Sequence, residues 1–103
     1  MNNIKKPKKH KYSKVLRKQL LKLQSRPQYT NYYRFLKSKY WSIIKAIVLK
    51  RDRGQCTVCG SKYRLEIHHT TYKHLYSEHD HLEDLLTVCH NCHYEYHCMF
   101  EVT

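Results

Sequence analysis

Residues 56–97 read CTVCGSKYRLEIHHTTYKHLYSEHDHLEDLLTVCHNCHYEYH. Two cysteine knuckles, Cys56-x-x-Cys59 and Cys89-x-x-Cys92, bracket the adjacent pair His68-His69, and the second knuckle runs into His93-x-x-x-His97. Four thiolates supplied two by two match the tetrahedral all-sulfur geometry of structural zinc, with metal–sulfur bonds of about 2.3 Å. The competing reading is two disulfides, which requires an oxidising compartment. Cys98 has no partner in either scheme and reads as a helix residue rather than a ligand. One zinc that staples the chain is therefore the first expectation, with the histidines left as ligands for a second metal that could do chemistry.

The chain has 103 residues and a formal net charge of +12. That length suits one domain with a thin core, so metal binding is expected to supply folding free energy that the core cannot. The opening MNNIKKPKKHKYSK is basic and lacks the apolar stretch of about 7 to 15 residues found in a secretory signal, so a reducing cytoplasm is the expected location. No apolar run approaches the ~20 residues that span a membrane. Charge is divided sharply. Residues 1–51 hold 16 of the 20 Lys and Arg and none of the eight acids, whereas residues 52–103 set four bases against those eight acids. A strongly basic arm joined to a more acidic, metal-holding module points to a polyanionic partner, and DNA is expected, with no membrane association. An anionic membrane surface is the weaker alternative, because no helix pairs a broad apolar face with the basic residues.

Residues 1–27 read as a basic N-terminal tail and helix, and residues 28–103 as the metal-holding domain. Behind the cap Ser13, Leu16, Leu20 and Leu23 recur at i, i+4 and i+7 opposite Lys14, Lys18 and Lys22, which predicts a helix to about Gln24. A short helix follows from about Asn31 to Leu36, then one capped by Ser38 and running to about Lys50, with Trp41, Ile44 and Val48 as its apolar stripe. Gly54 is expected to stop it. Alternating polarity over residues 63–68 predicts a strand with Leu65 and Ile67 inward that delivers His68 and His69. A polar loop over 70–81 leads to the apolar run Leu82, Leu85, Leu86 and Val88. The last helix, from about Asn91 to Phe100, sets His93 and His97 on one face. Lys5, Lys6, Lys8, Lys9, Lys14, Arg17, Lys18 and Lys22 are the candidate phosphate contacts. Tyr29, Tyr32, Tyr33 and Tyr40 could stack on bases, with core packing the alternative for at least two of them.

The order C-x2-C, strand, His-His, loop, C-x2-C-H-x3-H resembles the HNH endonucleases of the ββα-metal (His-Me finger) fold, especially small zinc-stapled members from phages and bacteria. The likeness extends upstream, where YYRFLKSKYWSIIKAIVLKRD is similar to their lead-in helix, and it covers about Tyr29 to His97. It implies an α+β fold: a ββα-metal module with a four-cysteine zinc site, preceded by N-terminal helices and a basic tail. Residues 28–103 would then be an HNH nuclease domain that nicks or cuts duplex DNA and leaves 5′-phosphate and 3′-hydroxyl ends. By the same resemblance His69 is the general base, and His68, His93 and His97 hold one catalytic divalent cation, Mg2+, Mn2+ or another transition metal. Double-strand cutting would need a homodimer or two successive events; a phage or host DNA-processing protein is the other candidate partner, in the bacterial host cytoplasm. Homing, restriction and DNA-packaging roles stay open.

The residue types suit that chemistry. A neutral imidazole, with an ordinary pKa of about 6.5, can accept a proton from water near neutrality, and two histidines at i, i+4 can converge on one ion. A regular strand sends neighbouring side chains to opposite faces, so His68 and His69 share a site only where the strand ends or bends. The middle letter of the motif departs from the family. Asp84 stands at the Asn position, where a carboxylate can accept backbone hydrogen bonds but cannot donate one. Asp84 is expected to anchor the loop, and the alternative function is a catalytically weak or inactive zinc-containing nucleic-acid-binding module. His74, His79, His81 and His90 have no motif position and are expected in solvent.

Overall fold

Capping side chains start the first three helices. Ser13 Oγ accepts the Leu16 N–H at 3.2 Å ahead of α1 (Lys14–Gln24). Asn31 Oδ1 accepts from the N–H groups of Tyr33 and Arg34 ahead of α2 (Tyr32–Leu36), and Ser38 Oγ accepts from Trp41 ahead of α3 (Lys39–Arg51). This computed structural model describes residues 12–24 and 31–100, with side chains as far as residue 95. Lys5, Lys6, Lys8, Lys9 and Tyr29 therefore lie outside the described residues, as do the side chains of His97 and Cys98.

At the end of α3, Gly54 helps to stop the helix as expected, and Arg53 joins it. Arg53 is the first left-handed residue, at φ 61, and Gly54 follows at φ 65. The Arg53 N–H donates to Lys50 O at 3.1 Å and the Gly54 N–H to Leu49 O at 2.9 Å, the paired bonds that close a helix C-terminus. Arg51, the last helical residue, is locked inward. Its guanidinium donates to both Asp52 carboxylate oxygens at 2.8 and 2.9 Å and to the carbonyls of Leu82 and Leu85 at 2.8 and 2.6 Å. Asp52 Oδ2 in turn accepts the Thr87 N–H at 3.0 Å, so α3 is tied to the second strand.

Strands β1 (Leu65–His69) and β2 (Leu85–Cys89) form one antiparallel pair, with His68 opposite Leu86 and His69 opposite Leu85. Two single turns of 3-10 helix, Glu78–Asp80 and Leu82–Asp84, lie in the connection, and α4 (His90–Phe100) leaves directly from β2. All five β2 residues are buried. A strand covered on both faces carries a continuous apolar run rather than an alternation. Among the described residues the architecture is thus α+β, a two-stranded sheet with four helices.

Two clusters hold it together. Leu20, Phe35, Tyr40, Trp41, Ile44, Val48 and Leu85 belong to the larger, so α1 shares its core with α3 and the sheet. The smaller joins Leu86 and Val88 to Cys56, Cys89 and Cys92. No helix among the described residues is long and apolar enough to cross a membrane.

Candidate metal centres

Each of Cys56, Cys59, Cys89 and Cys92 brings its sulfur within 4.8 Å of the other three, and Cys59 Sγ lies 3.6 Å from Cys89 Sγ. Sulfurs on a tetrahedral ion with bonds of about 2.3 Å sit about 3.8 Å apart, so the cluster is compatible with zinc. The first knuckle folds back on itself, with the Cys56 N–H on Ser61 O at 2.7 Å, the Gly60 N–H on Cys56 O at 2.9 Å, and Gly60 at φ 80. The N–H groups of Val58 and Cys59 point at Cys56 Sγ and that of Cys92 at Cys89 Sγ, each at 3.4 Å. Burial pushes the Cys56 thiol up, but backbone hydrogen bonds from Cys59, Cys89 and Val58 outweigh it and bring the pKa down to about 7. Burial and the three neighbouring thiols push Cys92 up. Thiols this crowded cannot all ionise without a cation among them, and these four are positioned to bind a metal ion.

A second group forms between β1 and the first turn of α4. Glu66 and His68, two residues apart, face α4, where His68 Nδ1 lies 3.0 Å from His93 Nε2. Ring nitrogens bound to one ion at about 2.0–2.1 Å and near a right angle are about 3 Å apart, so the separation fits a shared ion. The other nitrogen of His93, Nδ1, is 2.6 Å from Glu66 Oε1, and His90 Nδ1 is 2.8 Å from Glu66 Oε2. Burial tends to raise the Glu66 pKa, but the bonds from His93 and His90 hold it below the ordinary value. Among the described residues, only the four cysteines gather three or more ligand groups closely enough for an ion.

His69 goes the other way. Its ring stacks on Trp41 and on Tyr72, each at 5.0 Å, and its Nε2 is 3.0 Å from Glu78 Oε2. Both members of that pair are buried, with side chains 4 % and 1 % exposed. Although β1 ends at His69, strand alternation prevails and the ring does not join His68 and His93. Asp84 Oδ2 accepts from His74 Nδ1 at 2.6 Å, and its carbonyl accepts the Thr70 N–H at 2.7 Å. The loop is thus held through an imidazole and through the Asp84 carbonyl, rather than by its carboxylate on backbone donors.

Of the remaining histidines, His79 departs from the expectation of solvation, while His74, His81 and His90 are part-exposed. His79 is buried, its Nδ1 accepting the Tyr40 hydroxyl at 2.8 Å and its Nε2 3.2 Å from Asp80 Oδ2. A neutral imidazole can satisfy both nitrogens, which makes such burial affordable, and the same burial lowers its pKa. His74 stacks on His81 at 3.5 Å, and His90 is held by Glu66. Glu66 and Glu78 carried no role in the sequence reading. The signal for Glu66 was available, two residues before His68 on a strand; Glu78 sits in a polar loop with none.

Lys14, Lys18 and Lys22 are exposed on α1, whereas Arg17 is 2.8 Å from Asp80 in a half-exposed ion pair. Tyr40 is fully buried, Tyr32 is half-buried against Phe35, and Tyr33 is exposed. The geometry defines a small α+β protein with four cysteines positioned to bind a metal ion. No family model, curated protein or solved structure matches this chain.

Proposed function

We propose that this chain is a metal-dependent DNA endonuclease of HNH type, with a structural zinc on Cys56, Cys59, Cys89 and Cys92. The observation that carries this reading is His68 Nδ1 at 3.0 Å from His93 Nε2, beside the cysteine cluster. Cys89 ends β2 and Cys92 lies in α4, so a zinc there would fix the helix against the sheet and hold His93 against His68. A divalent cation on His68 and His93, with His97 one helical turn further on, would supply charge to a phosphate and its leaving oxygen. His69 as general base would work through Nδ1, since Nε2 faces Glu78. Lys14, Lys18 and Lys22 would meet DNA phosphates without reading sequence.

The test is nicking of supercoiled plasmid in Mg2+ or Mn2+. Nicking is expected to vanish in EDTA and to fall at least about 100-fold in His69→Ala and in His93→Ala. Cleavage indifferent to both substitutions would overturn the assignment. A second reading, a zinc-containing nucleic-acid-binding module with a weak or inactive centre, draws on the burial of His69 between Trp41 and Tyr72. It predicts salt-sensitive DNA binding with no cleavage under any metal.

A further inference from the structure

The geometry points to Glu66 as the positioning residue of the His68–His93 pair, an inference that rests on that pair being a metal site. Glu66 precedes His68 by two residues on β1 and so shares its face. His90 and His93, three apart in the first turn of α4, present both rings to its carboxylate at 2.8 and 2.6 Å. An ionised carboxylate can only accept, so the hydrogen of His93 is held at Nδ1. The lone pair is thereby left on Nε2, the nitrogen 3.0 Å from His68. A carboxylate behind a ligating imidazole fixes its tautomer and ring plane, and losing it costs about 10- to 100-fold in metal affinity. His90 has a different task. It stands between Cys89 and Cys92 and takes the second oxygen, so it clamps Glu66 to the cysteine knuckle.

The experiment uses the zinc-loaded full chain, titrated calorimetrically with Ni2+, together with ring 15N shifts of His93 before Ni2+ is added. The wild type is expected to take one Ni2+ beyond its zinc and to show His93 with hydrogen on Nδ1. Glu66→Ala should weaken Ni2+ binding about 10- to 100-fold and release His93 into a mixture of tautomers, with zinc content unchanged. The isosteric Glu66→Gln keeps an acceptor oxygen for His93 Nδ1 and should lose less affinity than Glu66→Ala. His90→Ala, which breaks only the clamp, should leave affinity within about threefold of the wild type, below the loss expected when a supporting carboxylate goes. Wild-type affinity in Glu66→Ala, or an equal loss in His90→Ala, would overturn the positioning role while leaving the metal pair intact. A wild-type chain that takes no ion beyond zinc would remove the metal pair itself and Glu66's role with it.

Discussion

Along β1, His68 turns to α4 and meets His93, whereas His69 turns to α3 and lies between Trp41 and Tyr72 with its Nε2 on Glu78. The two sides of the sheet are packed differently. On the α3 side nine buried apolar residues make a continuous core; on the α4 side five residues cluster, three of them cysteines. Apolar burial can hold the first side. The second has less of it, and its cysteines, with Cys59, are positioned to bind a metal ion. Adjacent residues of one type thus receive unlike surroundings, because a strand alternates its faces and each face is packed differently.

Chelation should separate the two sides most strongly. A structural zinc contributes on the order of 10 kcal/mol, comparable with the whole stability of a small domain. Loss of cooperative thermal unfolding, followed by circular dichroism, is expected in excess chelator; an unchanged transition would show that the α4 side stands on packing alone. Next in size, Glu78→Ala leaves the buried His69 without its partner and should cost about 3 kcal/mol in urea unfolding. A loss near zero would mean that His69 finds water and that the two sides differ less than their packing suggests.

A smaller effect is set by pH on the α3 side. Burial lowers the His79 pKa, so the folded chain keeps it neutral while the unfolded chain protonates it below about 6.5. The unfolded state then binds more protons, and the His79 contribution is full above about pH 6.5 and is lost as pH falls from there toward the folded value. Urea midpoints measured from pH 7.5 to 5.5 should fall less steeply in His79→Gln than in the wild type; parallel slopes would contradict the buried neutral ring. Smallest is Arg17→Ala. Its ion pair with Asp80 is half-exposed, so the urea midpoint should barely move, and DNA affinity should drop less than in Lys18→Ala, whose ammonium is not committed to Asp80. A larger loss of DNA affinity in Arg17→Ala would place Arg17 among the phosphate contacts.

Local chemistry made much of this fold legible in sequence. Ser13 and Ser38 are small polar residues ahead of apolar periodicity, and each caps a helix where expected, while Asn31, expected inside the second helix, is its cap. The cysteine spacing foretold a four-sulfur cluster because ligand geometry constrains sequence distance. Less legible were features fixed by contacts between distant segments. β2 is buried on both faces and so has no alternation to read. Arg53, which no sequence signal marked, is left-handed ahead of Gly54, because the helix closes one residue before the glycine. Glu78 and His79 lie in a polar loop that folds inward, and only Trp41, Tyr40 and His69, up to 39 residues away, reveal why they are buried. The separation of His69 from His68 follows from strand alternation; what it faces does not.

X-ray absorption at the zinc edge of the purified protein tests most directly the claim that metal, not packing, holds the α4 side. The account predicts one zinc per chain with four sulfur neighbours at about 2.3 Å. A first shell containing nitrogen or oxygen, or a folded chain without metal, would contradict it.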